Sequence, residues 1–524
     1  MNKSKLVFVL LIAFLSRSSV QAQISSNEID QLVENVMTKF DVAGVAVGIV
    51  KDGKIIHTKG YGVKSIKTKE KVNEHTNFAI ASNSKAFTTA ALAILVEEGK
   101  LSWQDKVKDH IPEFKMYNSY VTENFNIQDL LTHRSGLGLG VGDLMFFPDG
   151  ADYTIDDVLS SFQYFEPKSA FRTKFDYDNL LYFVAGEIIA RVSGVTWEEF
   201  IETNIMEPLE MDNSYPSLLL MKDKSNVAMP HSTETGEIRV IPHFEETING
   251  AAGGIFSNVD DICNWMLVHL NEGKYGKKLE KELFSEASQN EMWTIYTALP
   301  VNRSSRYNSH FAGYGFGWGL TDLKGNMSVS HTGGLPGMLS RIVMIPDLEL
   351  GVVVLTNTAN GGAGVFRAVS QSIVDSYLGL DDFNWTNYYY ERYIKSENNA
   401  DQVSSKVWKV VEAANNEHLN LDDYIGVYED SWFGKIEIFM NDNQLWFKSY
   451  RSPKLNGPMS YYKANTFAIK WEYQDMVADA FAMFNLDEEG KAQSIKMKGI
   501  SPNIDFSFDF QDLDLKKTEH NYSE

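Results

Sequence analysis

Cysteine is almost absent: Cys263 is the only one in 524 residues, which excludes an intrachain disulfide framework and a zinc site built from thiolates. Proline is scarce at 13 residues, and no repeat of fixed period or heptad run occurs. Collagenous, low-complexity and solenoid architectures therefore fall away. Positive charge is short as well. Lys plus Arg number 48 against 70 Asp plus Glu, a formal charge of −22, which rules out a basic nucleic-acid binder. Long apolar runs are missing too. The longest, Leu6 to Leu15, has ten residues, where a membrane-spanning helix needs about 20. What remains is a packed globular chain, 44% hydrophobic and 12% aromatic, long enough for about two to four domains.

Residues 1–22 read as an export signal. Lys3 and Lys5 precede the apolar run, and Val20-Gln21-Ala22 offers small residues for cleavage before Gln23. No cysteine follows the run, so the leader lacks the residue a lipoprotein would acylate. The expected product is exported to the periplasm or the medium without a membrane span. Loss of Lys3, Lys5 and Arg17 takes its charge from −22 to −25, which disfavours adhesion to anionic membranes.

Apolar positions Ile29, Leu32, Val33, Val36, Met37 and Phe40 recur at helical spacing over Asn27–Phe40. Val45–Val50 and Ile55–His57 read as strands joined by Lys51-Asp52-Gly53-Lys54, where Asp-Gly signals a hairpin. From about residue 80 to 270 the chain reads as mostly helical, with helices over Leu180–Arg191, Trp197–Asn204 and Asp260–His269. Strands return at Arg341–Ile345 and Gly351–Thr356, and a helix follows over Val365–Tyr377. The polar stretch Ser396–Gln402, with a short helical pattern ending near Asn415, is expected to lie in a linker over 386–420. Alternation in Lys435–Phe439 and Gln444–Phe447, around an Asn441-Asp442-Asn443 turn, marks 421–515 as a separate all-β domain, leaving 516–524 as a tail.

Three short motifs carry chemistry. Ala81-Ser82-Asn83-Ser84-Lys85 opens a helical pattern, so unpaired N–H groups and the helix dipole face Ser82. Lys85, three residues on, projects from the same side, and as a neutral amine it can deprotonate Ser82 once burial lowers its pKa from about 10.4. Taken alone this spacing is common; Ser460-Tyr461-Tyr462-Lys463 repeats it with no helix behind it, and Ser82 could be a plain N-cap. Tyr177-Asp178-Asn179, just before a helix, places a phenol able to relay a proton beside a carboxamide. His331-Thr332-Gly333-Gly334 precedes a hairpin and offers an imidazole, a hydroxyl and bare backbone against which a substrate can lie. A backbone N–H there, paired with that of Ser82, would make an oxyanion hole. No Gly-x-Ser-x-Gly or His-Glu-x-x-His occurs, so an α/β-hydrolase elbow and a zinc protease are excluded. Asn360-Gly361-Gly362-Ala363-Gly364 lacks the Gly-Lys-Ser/Thr of a phosphate loop and reads as a turn before a helix. Cys263 reads as a packed core thiol, and nothing calls for a metal or cofactor.

In this order the three motifs resemble the serine penicillin-recognising family of DD-peptidases, class C β-lactamases, esterases and D-aminopeptidases. The resemblance covers roughly Ile29–Leu378 and includes Leu130-Leu131-Thr132-His133-Arg134-Ser135-Gly136-Leu137 and Ala252-Gly253-Gly254-Ile255-Phe256-Ser257. It implies an α+β fold, with a helical domain beside an antiparallel sheet flanked by N- and C-terminal helices, over residues 23–385. It further implies Ser82 as nucleophile, Lys85 as its base and Tyr177 as proton relay. Asn179, His331, Thr332 and Gly333 would bind substrate, and the N–H groups of Ser82 and Gly334 would form the oxyanion hole. The segment from Leu421 to Tyr428 resembles the start of the lipocalin-like barrel appended to some exported members. Where the β-lactamases of the family usually carry Lys, this chain has His331, which offers less positive charge at neutral pH. The implied activity is hydrolysis of an amide or ester, such as a D-amino-acid-containing peptide or a small ester, through an acyl-enzyme. A receptor that acylates without turnover and a class C-like β-lactamase are the alternatives. The implied partner is a small-molecule or peptide substrate.

Overall fold

The computed structural model describes residues 23–518, apart from 235, 246–247, 249 and 416–418. The expected leader and the last six residues of the expected tail lie outside the described residues. Ser25 opens helix α1 (Ser26–Phe40) with a capping box, in which its side chain accepts the Glu28 N–H and the Glu28 carboxylate accepts its own. The apolar side of the helix, Ile29 to Phe40, is buried.

Eight strands form an antiparallel sheet: β1 (Gly44–Lys51), β2 (Lys54–Gly62), β3 (Thr297–Ala298), β4 (Ala312–Tyr314), β5 (Gly319–Leu323), β6 (Asn326–Leu335), β7 (Met338–Ile345) and β8 (Leu350–Thr356). Their order across the sheet is β2-β1-β8-β7-β6-β5-β4-β3. The interior strands β1 and β8 read as unbroken apolar runs because both faces are covered. On one face lie α1 and the later helix over Gly362–Tyr377. On the other lies the helix over Val259–Leu270, where Cys263 is so close that a Cβ on Gly48 would stand 2.8 Å from its sulfur. The helical region packs on that second face. Its central member, α2 (Ser84–Glu97), is buried around most of its circumference and stacks Phe87 on Trp265 at 4.0 Å. Beside it runs α3 (Leu180–Ser193), followed by α4 (Val259–Leu270), α5 (Gly362–Tyr377) and α6 (Trp385–Ala413).

Three expectations change. The region before α4 is less helical than its pattern implies. The helix over Trp197–Ile201 passes into a π turn, Glu202–Met206, and Phe78–Ala79 pairs with Phe256–Ser257 as a two-stranded ladder. The expected linker is largely one 29-residue helix, α6. Its polar middle faces water, while Tyr389, Tyr390 and Tyr393 pack against the outer face of the sheet domain and Val407, Trp408 and Val411 pack against the C-terminal domain. That domain is a closed barrel of eight strands, from Gly426–Asp430 to Leu515–Lys517. The barrel therefore closes with residues assigned by sequence to the tail.

The barrel is joined firmly to the body. Arg451 pairs with Asp152 and Asp157 at 2.7 and 2.8 Å, and Lys454 with Asp149 at 2.6 Å. The buried Asp509 carboxylate accepts the N–H groups of Gly142 and Leu144 at 2.7 and 2.9 Å. Asp509→Ala leaves both donors without a partner, so it should lower stability by about 2 kcal/mol or more. Chemical denaturation of the full chain checks this; an unchanged midpoint would mean that the seam does not rest on this carboxylate.

Candidate active site

The turn before α2 is strained. Ala81 sits at φ +48°, a left-handed conformation that costs a residue with a Cβ about 1–2 kcal/mol and persists where the surroundings enforce it. The enforcement comes from β6 and β7. Ser340 Oγ donates to the Ile80 carbonyl at 2.7 Å and accepts from Asn83 Nδ2 at 2.8 Å. Gly333 lies so close that a Cβ would stand 2.1 Å from the Ile80 oxygen. Gly333, expected to bind substrate, lets the strand approach this turn. Ser82 occupies a single 3₁₀ turn, Ala81–Asn83, and α2 begins at Ser84. Its side chain does not cap the helix and faces Lys85.

Lys85 is 0% exposed. Its Nζ lies 3.2 Å from Ser82 Oγ, 2.7 Å from Asn179 Oδ1 and 2.9 Å from the Ala252 carbonyl oxygen. Burial is the largest influence on its pKa and lowers it to about 7, against the charges of Asp143 and Asp178, which raise it. A neutral amine has two N–H donors and one lone pair. Asn179 Oδ1 and the Ala252 carbonyl can only accept, so they take the two donors and leave the lone pair for the Ser82 hydroxyl. The Asn179 orientation is fixed in turn, because its Nδ2 donates to Asp143 Oδ2 at 2.8 Å.

Burial pushes Asp143 up to about 7, while its hydrogen bonds from Ser507 and Asn179 and the charge of Lys85 lower it. Ser507 belongs to the C-terminal domain and reaches Asp143 Oδ2 at 2.8 Å. Asp178 is also held well above the usual carboxylate range, first by burial and then by Asp143.

Tyr177 completes the group. Its ring centroid is 4.9 Å from Lys85 Nζ, and it lines the same cavity as Ser82. Burial raises its pKa above the ordinary phenol value more strongly than the Ser82 contact lowers it, so the phenol keeps its proton. The ring rests on His133 at 4.2 Å and meets Phe506 of the C-terminal domain edge-on at 5.9 Å. His331 lies beyond it. Its Nδ1 is 2.7 Å from the Thr332 carbonyl and its Nε2 is 2.9 Å from Tyr314 Oη. A carbonyl can only accept, so Nδ1 carries the proton and Nε2 accepts from Tyr314. Burial, then the charge of Lys85, lower the His331 pKa to about 3, and the ring is neutral at pH 7.

Ser82, Tyr177, Asn179, His331, Thr332 and Gly334 line one cavity of about 830 Å³; Lys85 lies behind its wall. Sequence reasoning did not single out Asp143, Tyr314, the Ala252 carbonyl, Phe506 or Ser507. A signal existed for Asp143, which follows glycines at 136, 138, 140 and 142, all with positive φ. Ala252 lies in a stretch noted for its resemblance, without a role. No local pattern marks Ser507. Among the described residues no three His, Cys, Asp or Glu are placed to hold a metal ion.

A family profile described as Beta-lactamase matches residues 29–371, which is most of the chain. The chain belongs to the Beta-lactamase family. A second profile, a domain of unknown function (DUF3471), matches residues 411–517, the barrel and its approach. Among Beta-lactamase relatives, Unguisins hydrolase ungD' of Aspergillus campestris is 26% identical over 68% of this chain and 67% of its own length. Protein flp of Staphylococcus aureus is 28% identical over 64% and 63%. The octameric penicillin-binding protein homologue from Pyrococcus abyssi superposes with a TM-score of 0.60 at 22% identity, over 94% of this chain and all of that one. A penicillin-binding protein from Bacillus halodurans gives 0.54 at 23%, over 65% and 99%. These two establish a shared fold. The Beta-lactamase fold and its hydrolase relatives place the chain in a hydrolase family.

Gly333→Ala forces the strand off the Ile80 carbonyl and moves the Ser82 turn. The rate at which a neutral fluorophosphonate labels Ser82 should fall about 100-fold with the circular-dichroism spectrum retained; full-rate labelling would mean that the close approach does not position the turn.

Proposed function

We propose that the protein is an exported serine hydrolase that cleaves an amide or ester through an acyl-enzyme on Ser82. The reading rests on one observation above all: the Lys85 amine, with a pKa of about 7, has its two donors engaged and its lone pair left for Ser82 Oγ. In the first step the Ser82 Oγ–carbon bond forms and its proton passes to Lys85. As the bond to the leaving amine or alcohol breaks, that proton reaches the leaving group through the Tyr177 hydroxyl, which acts as a neutral relay because its pKa is raised. Water then attacks the ester by the reverse route, and its proton returns to Ser82. The N–H groups of Ser82 and Gly334 would receive the oxyanion. The substrate we infer is a D-amino-acid-containing peptide or a small ester. The neutral His331 weighs against a β-lactamase that depends on a cation at that position, and a relative named as an unguisins hydrolase supports hydrolysis.

Incubation with a fluorophosphonate, followed by mass spectrometry, should give one adduct on Ser82 that Ser82→Ala abolishes; labelling elsewhere refutes the assignment. Multiple turnovers of a chromogenic ester distinguish an enzyme from a receptor that stays acylated.

The base must be neutral to act, so kcat/KM should rise with pH through about 7, where burial places both Lys85 and Asp143. The limb belongs to the pair, which exchanges protons in shared steps. Asp143→Asn removes a negative charge that raises the Lys85 pKa, so the limb should move to lower pH by about one unit. A limb that falls with pH through the same range, or moves upward in the variant, would exclude Lys85 as the base.

A further inference from the structure

Tyr177 stands on residues 175–178, which form neither helix nor strand, yet a proton relay has to hold its hydroxyl within about 0.5 Å of its working place. The hold comes from His133. Its carbonyl oxygen accepts the Asp176 N–H at 2.8 Å, and its ring Nδ1 accepts the Asp178 N–H at 3.1 Å, so the chain is tied to one residue just before and just after Tyr177. The Tyr177 carbonyl is fixed in turn by the Gly140 N–H at 2.7 Å. With the main chain held, only the side-chain torsions of Tyr177 remain free. The imidazole face, 4.2 Å from the phenol ring, limits those.

His133 does this at a cost to the fold. Its φ is +51°, a left-handed conformation unfavourable for a residue with a Cβ. A backbone N–H can only donate, so Nδ1 carries the lone pair and Nε2 the proton. That Nε2 donor is buried with no hydrogen-bond partner among the described residues, which is destabilising. The rings of Phe175, Tyr182 and Tyr314 surround the imidazole, with centroids 5.5, 5.5 and 4.8 Å away. A phenylalanine would fill that nest without burying an unpaired donor; what it lacks is the acceptor at Nδ1. Burial, then the charges of Lys85 and His331, hold the His133 pKa well below the ordinary imidazole value, so the lone pair stays free for the Asp178 N–H. Costs of this kind are characteristically retained at functional sites. His133 is fully buried and is not part of the cavity lining, so it acts through Tyr177 rather than on a substrate.

We propose that His133 is the positioning residue of the proton relay, and that its Nδ1 acceptor and its ring face together aim the Tyr177 hydroxyl at the leaving group. The inference rests on the hydrolase reading and adds to it the residue on which the relay depends.

Aryl acetates that differ only in their leaving group test it with the full chain. 4-Nitrophenolate departs readily without a proton, whereas the more basic 4-methoxyphenolate gains from receiving one, so a misplaced relay weighs more on the second ester. His133→Phe keeps a ring beside Tyr177 and leaves the Asp178 N–H without an acceptor. His133→Asn keeps an acceptor near the place of Nδ1 and tolerates the positive φ, but removes the ring. In each variant kcat/KM for 4-methoxyphenyl acetate should fall about tenfold more than for 4-nitrophenyl acetate. Tyr177→Phe should show the same selective loss, and adding His133→Phe to it should not increase the selectivity, because both changes act on one step. Melting temperatures and the fluorophosphonate labelling of Ser82 report on folding. Equal losses for the two esters in both His133 variants, or a double variant whose selectivity is the product of the single ones, overturn the inference while a selective Tyr177→Phe leaves the relay standing. An unselective Tyr177→Phe overturns the relay and this inference with it. A wild type that hydrolyses no aryl acetate and is not labelled at Ser82 overturns the hydrolase reading itself.

Discussion

The structure depends on keeping one amine out of water. An exposed lysine with its ordinary pKa of 10.5 would be neutral in about one molecule in three thousand at pH 7, too few to serve as a base. At about 7, half the molecules carry a neutral amine. Burial alone would give a disordered solution to this problem, since a desolvated amine can rotate its lone pair anywhere. The Asn179 and Ala252 oxygens remove that freedom. They come from different elements, the start of α3 and the helical turn Gly250–Gly253, so packing α2 between those elements also sets the direction of the lone pair.

The hold on Asn179 passes outward through Asp143 to Ser507 in the barrel. Asp143 sits at the end of a loop whose backbone N–H groups at Gly142 and Leu144 bind Asp509. Two residues of one barrel segment thus support both the side chain and the backbone of the loop that orients the amide. Phe506, just before them, closes against Tyr177. The appended domain is part of the wall and the support of the site. The helix α6 joins the two parts as a rigid strut, with tyrosines at one end on the sheet and Val407 and Val411 at the other on the barrel.

Sequence reasoning reached what local pattern records. The helix over 26–40, the first hairpin, the strands β7 and β8 and the motif residues all carry their signal within a few positions. It failed where the deciding partner is remote. The polar middle of α6 looks like a linker because the tyrosines that anchor it act through their ring faces, and composition counts them with a hydrophilic neighbourhood. The strain of the turn before Ser82 leaves no local sign, because nothing in the chain shows that β6 and β7 stitch it. Ser507 has no local signature, because it matters through a residue 364 positions away.

Two basic side chains around the cleft divide the electrostatic work according to their chemistry. Lys85 can lose its proton, and burial among acceptors makes it do so near neutrality. His331 loses its charge further, because burial and then the charge of Lys85 outweigh its hydrogen bond to the Thr332 carbonyl, so it serves as a neutral link between Tyr314 and the strand. A substrate anion therefore finds no charge at the position where the β-lactamases of the family usually carry lysine.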